Sequence, residues 1–154
     1  MVMSRRRHAV LIGVFAALAF GVSSAVAEPK LRVTDAVLVR PLGQAPAAAY
    51  VEVINQGSQE DALIGASSPR ADRVSLHRIA AHHGMASMQP IEGGLKIAVG
   101  KRVSLAEEGL HFMVEGISGE LKSGETFPMD LRFTHAGALR VEFRVIERSR
   151  GHAH

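Results

Sequence analysis

Apolar and polar side chains alternate in short runs along most of the chain after residue 30, and turn-forming residues separate the runs. A period of two predicts β-strands, because successive side chains of a strand point to opposite faces of a sheet. The clearest runs are FPMDLRF (127–133) and LRVEFRV (139–145), each with four apolar side chains on one face and mainly charged ones on the other. Between them, THAG predicts a tight turn in which Gly137 takes a positive φ angle.

Seven further runs have a β-branched or alternating composition: VTDAVLVR, AAAYVEVIN, DALIGAS, RVSLH, LKIAV, RVSLA and LHFMVEGI. Turn-forming clusters such as NQGSQED and SPRAD separate them, and no segment after residue 30 keeps a helical period over ten positions. The segment RIAAHHGMASM, which follows RVSLH, is predicted to be a loop. This many short strands favours an all-β fold, an antiparallel sandwich or barrel.

The first 27 residues predict a secretory signal peptide that is removed after Ala27. Residues 5–7 are basic, residues 9–22 are an unbroken apolar run, and SSAVA supplies the small residues of a cleavage site. The apolar run has 14 residues, fewer than the about 18 typical of a membrane-spanning helix. An uncleaved membrane anchor is the alternative, and the export route stays open. We therefore expect an exported, periplasmic protein with one domain at residues 28–147 and a loose tail at residues 148–154.

Removing this segment changes the electrostatic picture. The whole chain has 18 Lys and Arg against 15 Asp and Glu, and its pI is near 9.8. Arg5, Arg6 and Arg7 belong to the predicted signal, so the remaining chain has 15 of each and no net charge. This balance removes the support for nucleic-acid binding.

The chain has no cysteine, which excludes disulfide bonds and thiolate metal ligands. It also excludes a cysteine nucleophile. No Ser/His/Asp set has a suggestive context, and the carboxylates are expected on solvent faces. We therefore do not expect an enzyme.

The segment GLHFMVEG (109–116) carries the first candidate chemistry. His111 and Met113 lie two residues apart and share one face of the predicted strand, while Phe112 and Val114 occupy the opposite face. The core is thus accounted for by the second face. The first face is either an accidental composition on a half-buried strand or half of a metal site, because imidazole nitrogen and thioether sulfur both bind metals.

Outside this strand, His77 ends RVSLH and Met88 ends the predicted loop, where an apolar side chain has no periodic reason to be. Met129 is expected to be core packing, and His135 a solvated turn residue. The remaining histidines of the mature chain lie in the predicted loop and tail: His82, His83, His152 and His154. They are either polar surface residues or metal ligands.

The spacing of these residues resembles a known signature. His77, ten intervening residues, Met88, twenty-two intervening residues and HFM resemble the H-x10-M-x(21–22)-H-x-M signature of the periplasmic PCuA(C)-type copper chaperones. The similarity runs from about residue 31 to residue 147 and includes PAAAYVEVIN, GASSP, VSLH, PIEGGL, GLHFMVEGI, LKSGETFPMDLRF and AGALRVEF.

The resemblance implies a cupredoxin-like antiparallel β-sandwich of Greek-key type. It also implies that His77, Met88, His111 and Met113 bind one Cu(I) ion. The histidines of the predicted loop and tail, His82, His83, His152 and His154, could add weak capture of Cu(II). Thioethers are soft, neutral donors that suit Cu(I) and need no deprotonation. The implied recipient is the dinuclear copper centre of cytochrome c oxidase subunit II, or a thiol-bearing copper assembly factor, and we expect a monomeric carrier.

Two departures from the family pattern concern the first half of the signature. Arg78 stands where family members often have an acidic residue, and Ala86 where they often have a second methionine. Met85 is one step earlier and could substitute for Met88. Two other functions stay open: copper buffering without a dedicated target, and a metal-free exported interaction module.

Overall fold

The computed structural model describes residues 30–43, 45–82, 84–106 and 109–148. These residues form ten β-strands and no helix, so no described segment is a helix that could span a membrane. The strands are β1 (Leu31–Val39), β2 (Ala47–Asn55), β3 (Asp61–Ser67), β4 (Ala71–His82), β5 (Met85–Pro90), β6 (Leu95–Ile97), β7 (Arg102–Leu105), β8 (Leu110–Ile117), β9 (Thr126–Phe133) and β10 (Gly137–Ile146). The prediction of an all-β fold is confirmed. The predicted signal peptide and nearly all of the predicted tail lie outside the described residues.

Nine strands are hydrogen-bonded in the order β5-β4-β8-β2-β1-β10-β9-β3-β6, and β7 pairs with β2. Neighbours along the sheet are mostly distant in sequence, as in Greek-key folds. All pairs are antiparallel except β1 and β10, which are parallel. The prediction of an antiparallel fold is confirmed, and the first and last strands add one parallel pair to it. A parallel pair needs a long connection, and the whole domain between the first and last strands provides it.

One face of the folded sheet encloses the core. The largest fully buried side chains come from strands throughout the order: Phe112, Phe127, Phe143, Leu38, Leu63, Ile97, Leu105, Met129, Leu131, Val51, Val53 and Val114. The hairpin predicted at the C-terminal end is present as β9 and β10, with Leu131 opposite Leu139. The assignment of Met129 to the core is confirmed, because its side chain is fully buried.

The segment predicted as a loop after RVSLH is instead a β-hairpin. β4 continues to His82 and pairs with β5, from His77 opposite Pro90 to His82 opposite Met85. Every residue of β5 is exposed, so this strand has no buried face and leaves no alternating apolar pattern in the sequence. The hairpin places Met88 on a strand with a defined side, opposite Ile79.

A buried carboxylate ties β3 to the β9–β10 turn. The Asp61 side chain accepts hydrogen bonds from the backbone N–H groups of Ala62, His135 and Ala136, at 2.8, 2.9 and 2.9 Å. The expectation that carboxylates lie on solvent faces is therefore wrong for Asp61, which is almost fully buried. Burial alone would raise its pKa, but the three backbone hydrogen bonds outweigh burial and the pKa is lowered.

Candidate metal-binding site

The two candidate histidines meet across neighbouring strands. His77 of β4 lies directly opposite His111 of β8 in the antiparallel register. Their ring centroids are 5.9 Å apart, and the ring planes are inclined by 29°. Residues 34 positions apart in the sequence are thus brought together by strand pairing. The sequence could name both residues, but only the register shows that they are partners.

Both rings lie on the outer face of the sheet. The next pair in the register is Leu76 opposite Phe112, and these two side chains are buried in the core. Because side chains alternate along a strand, His77 and His111 point the other way. His77 and His111 are nevertheless only 8% and 5% exposed, so most of each residue is shielded from solvent.

Met113 belongs to the same face. It lies two residues beyond His111 on β8 and opposite Ser75 of β4, and it is half-buried. On its other side β8 pairs with β2, where Ala48 is the partner of Met113. Met113 is thus the diagonal neighbour of His77, a relation in which long side chains can still touch.

Met88 approaches the histidines from the opposite side. It lies opposite Ile79 on the β4–β5 hairpin, so its side chain is on the same face as Ile79 and His77. It is also a diagonal neighbour of His77, whose direct partner on β5 is Pro90. The register therefore places the two methionines on either side of His77. Met88 is 50% exposed, the most accessible of the four candidate donors.

Met85 lies on the other face of the hairpin. Its register partner is His82, three positions from Ile79, so alternation puts it opposite to Met88. Its side chain is 74% exposed. The structure therefore supplies no support for Met85 as a substitute ligand.

Most of the histidines outside the candidate site are not described by the structure. His83, His152 and His154 lie outside the described residues, and only the backbone of His82 is described. The turn histidine, His135, has a 46% exposed side chain with its Nδ1 atom 3.6 Å from Asp61. The suggestion of Cu(II) capture at His82, His83, His152 and His154 stays a prediction.

Hydrogen bonds fix the two rings differently. The Nδ1 atom of His111 lies 3.1 Å from the carbonyl oxygen of Gly109, which can only accept, so Nδ1 carries the proton and Nε2 keeps a lone pair. The Nε2 atom of His77 lies 2.9 Å from the hydroxyl oxygen of Ser75. Its Nδ1 atom is buried and has no hydrogen-bond partner among the described residues. Sequence reasoning missed both Ser75 and Gly109, which have no metal-binding chemistry of their own.

The position of Gly109 depends on its lack of a side chain. Its φ angle is +70°, and a Cβ atom there would lie 2.9 Å from the carbonyl oxygen of Ile79. The Gly109 carbonyl also accepts a hydrogen bond from the Ile79 N–H at 3.1 Å. One backbone oxygen thus joins the β4–β5 hairpin to the ring of His111.

The electrostatics around His77 favour its neutral imidazole form. Burial lowers the pKa of His77, and the neighbouring His111 acts in the same direction, while the charge of Glu115 opposes it. Neutral imidazole has the lone pair that a metal ion requires. At neutral pH His77 is therefore in the protonation state that can bind a metal.

The donor set fits a soft metal ion. Metal–imidazole bonds are about 2 Å long, so two rings whose centroids are 5.9 Å apart are close enough to bind the same ion. Within the described residues, no three His, Cys, Asp or Glu side chains form a metal-binding group. The register places the thioethers of Met88 and Met113 on the same face, and thioethers are ligands of soft metals.

A groove of about 880 Å³ lies beside the histidine pair on the sheet formed by β1, β2 and β10. Its lining includes Val37, Tyr50, Glu52 and Arg144 but neither histidine. Tyr50 connects the two regions, with its ring centroid 6.5 Å from that of His111. The candidate donors are thus on a shielded sheet face rather than in this groove.

Comparison with solved structures defines the class of this fold. The copper-bound PCuAC domain from PmoF2 matches with a TM-score of 0.65 and 25% identity, over 80% of this chain and 97% of that domain. Apo-DR1885 from Deinococcus radiodurans matches with a TM-score of 0.58 and 26% identity, over 98% and 99% of the two chains. The CuI-DR1885 structure from the same organism matches with 28% identity and a TM-score of 0.57, over 82% and 83%. The fold is the cupredoxin-like β-sandwich of PCuAC domains, as the sequence resemblance implied.

Comparison of sequences defines the family. Residues 26–145 match the family described as "Putative lipoprotein LpqE-like", and the chain belongs to this LpqE-like family. Lxx21020 of Leifsonia xyli subsp. xyli, a protein named as a lipoprotein, is 32% identical over 96 residues. That alignment covers 62% of this chain and 58% of the relative's length.

Proposed function

We propose that this protein is a copper carrier that binds one Cu(I) ion through His77, Met88, His111 and Met113. The observation that supports the proposal is the register of β4 and β8, which sets two imidazoles opposite each other on one face with a methionine diagonal to His77 on each side. PCuAC domains of the same fold include a copper-bound and a Cu(I)-bound structure.

The donor set explains the choice of ion. Two neutral nitrogens and two thioethers form a soft, uncharged ligand set that suits Cu(I), whereas zinc sites use Cys, His or carboxylate and calcium sites use oxygen. The chain has no cysteine, so the thiolate of a blue-copper electron carrier is absent. The set is suited to holding and releasing copper rather than to electron transfer or catalysis.

Transfer requires that one ligand can be replaced by a ligand of the recipient. Met88 is half exposed at the hairpin edge, whereas both histidines are buried. Exchange would therefore begin at Met88, with the histidines releasing the ion last. We propose that a monomer, exported to the periplasm as the lipoprotein name of the family also suggests, delivers the ion. The recipient is the dinuclear copper centre of cytochrome c oxidase subunit II or a thiol-bearing copper assembly factor.

Competition with a chromophoric Cu(I) chelator tests the binding site. We expect the His111→Ala, Met113→Ala double variant to lose more than the about 100-fold that removal of a ligand's supporting group can cause. His135→Ala is the matched control, because it removes an exposed imidazole remote from the site. Intrinsic fluorescence gives a second readout, because the chain has one tyrosine, Tyr50, and no tryptophan. Copper bound beside His111 should quench the fluorescence of Tyr50. Unchanged chelator competition in the double variant would remove the proposal.

Delivery is tested separately in cells. Deletion of a dedicated carrier should lower cytochrome c oxidase activity at limiting copper, and added copper should restore it. A strain that keeps full oxidase activity but becomes sensitive to excess copper would instead identify a copper buffer.

A further inference from the structure

His77 has two ring nitrogens in different surroundings, one beside a hydroxyl group and one without a hydrogen-bond partner among the described residues. Nε2 lies 2.9 Å from the Ser75 hydroxyl, and Nδ1 is buried without a hydrogen-bond partner among the described residues. Ser75 itself has no metal-binding chemistry. Its position, two residues before His77 on the same face and opposite Met113, nevertheless places it inside the candidate site.

Two protonation patterns of this ring are possible. If Ser75 donates its hydroxyl proton to Nε2, then Nδ1 carries a hydrogen that is buried with no acceptor, which is an unfavourable state. The ring would also have no lone pair left for a metal. If Nε2 donates to the Ser75 oxygen, Nδ1 holds a lone pair, and a bound cation would satisfy it.

The second pattern matches the way histidine ligands are usually held. A ligating imidazole generally donates its other N–H to a fixed acceptor, which sets the tautomer and orients the ring. The Gly109 carbonyl does this for His111 through Nδ1. A hydroxyl at 2.9 Å from Nε2 can do the same for His77.

We infer that Ser75 is a positioning residue that holds His77 in the Nε2–H tautomer, so that copper is bound by Nδ1 of His77 and Nε2 of His111. This inference rests on the proposed function. The two histidines are then not equivalent. His111 is oriented by the backbone carbonyl of Gly109, which a side-chain substitution does not remove. His77 is oriented by the side chain of Ser75, which a substitution can remove.

The tautomers can be observed directly by long-range ¹H–¹⁵N NMR on histidine-labelled protein. In the metal-free protein we expect His77 as the Nε2–H tautomer, and in Ser75→Ala a mixture of tautomers. Ser75→Thr keeps the hydroxyl and should restore the single tautomer. Ser104→Ala removes a half-buried serine from β7 and should leave His77 unchanged.

The metal-bound state is tested with Ag(I), a diamagnetic soft monovalent ion whose binding shifts the coordinating nitrogen. We expect the shifts at Nδ1 of His77 and Nε2 of His111. We further expect Ser75→Ala to bind Ag(I) about 10-fold or more weakly, in the range seen for lost supporting groups, with Ser75→Thr and Ser104→Ala near the wild-type affinity. A purely structural serine would change the melting temperature but not the tautomer.

The two failures are distinguishable. A silver-induced shift at Nε2 of His77, with His111 shifting normally, overturns the role of Ser75 and leaves the proposed copper site intact. The absence of a shift on either ring overturns the proposed site and this inference with it.

Discussion

At the scale of single residues, the four candidate donors differ most in accessibility. His77 and His111 are buried, Met113 is half-buried and Met88 is half exposed. Burial lowers the pKa of His77 and keeps its lone pair available. Under the proposed function, such a site would hold the ion through its imidazoles and leave its outermost thioether open to exchange with the recipient.

The two exposed methionines of the hairpin allow a matched comparison. We expect Met88→Ala to weaken Cu(I) binding at least about 10-fold. Loss of a direct ligand should reduce the affinity by at least as much as the loss of a group that only supports a ligand. Met85→Ala should have no such effect, because Met85 lies on the opposite face. Chelator competition on both variants measures this. Equal losses in the two variants, or a loss in Met85→Ala alone, would contradict the assignment of Met88.

Gly109 supports a second prediction at this scale. Gly109→Ala should destabilise the fold by about 1–3 kcal/mol, because its φ angle is +70° and its Cβ would meet the Ile79 carbonyl. Gly137→Ala is the control, since Gly137 has a similar φ of +75° with nothing within 4 Å of its Cβ position. Urea denaturation should show the larger loss for Gly109→Ala. Losses of equal size would mean that the close approach to Ile79 is relaxed at no cost.

At the scale of elements, the β9–β10 turn depends on a carboxylate from another strand. Asp61 of β3 accepts three backbone hydrogen bonds while almost fully buried. Asp61→Asn keeps the shape but replaces a charged acceptor pair with one acceptor and one donor facing N–H groups. We expect a loss of about 1–3 kcal/mol in the free energy of unfolding, measured by denaturation at neutral pH.

The pH dependence of this element has a definite sign. The pKa of Asp61 is lowered below its ordinary value of 3.8, so the unfolded chain binds the proton more readily than the folded protein. The stabilisation is therefore complete above the ordinary pKa and is lost as the pH falls through the folded pKa. The difference between wild type and Asp61→Asn should shrink as the pH falls below about 4. A difference that stays constant down to pH 2 would show that the charge of Asp61 is not the cause.

The elements also show what the sequence could and could not predict. β9 and β10 were evident because each has one buried face, so apolar residues alternate. β5 was missed because all of its residues are exposed and burial leaves no pattern there. The parallel pairing of β1 with β10 and the facing of His77 and His111 depend on which distant strands meet, and no local pattern encodes that choice. The four candidate donors could be named from their spacing and its resemblance to a family signature, whereas the roles of Ser75 and Gly109 follow only from the folded structure.

At the scale of the whole molecule, stability and metal binding should be linked. The chain has no cysteine, so the folded state is held by the core and its hydrogen bonds, and a ligand that binds only the folded state must stabilise it. At a free metal concentration 100 times the dissociation constant, the gain is about 2.7 kcal/mol. For a domain of this size that raises the melting temperature by several degrees, at about 2–8 °C per kcal/mol.

The location of the stabilisation among the strands tests the metal site more specifically than its size does. A metal ion held by donors of β4, β5 and β8 ties three adjacent strands on one side of the sheet order, whereas β9, β3 and β6 lie at the other end. Amide hydrogen exchange should be measured under conditions in which local opening dominates. We expect added Ag(I) to slow exchange in the β4–β5 hairpin and in β8, with little change in β9 and β3. The His111→Ala, Met113→Ala variant should lose both the melting shift and this local protection. A uniform slowing across all strands, or a melting shift that survives in the double variant, would place the metal elsewhere. No shift at all in the wild type would favour a metal-free interaction module.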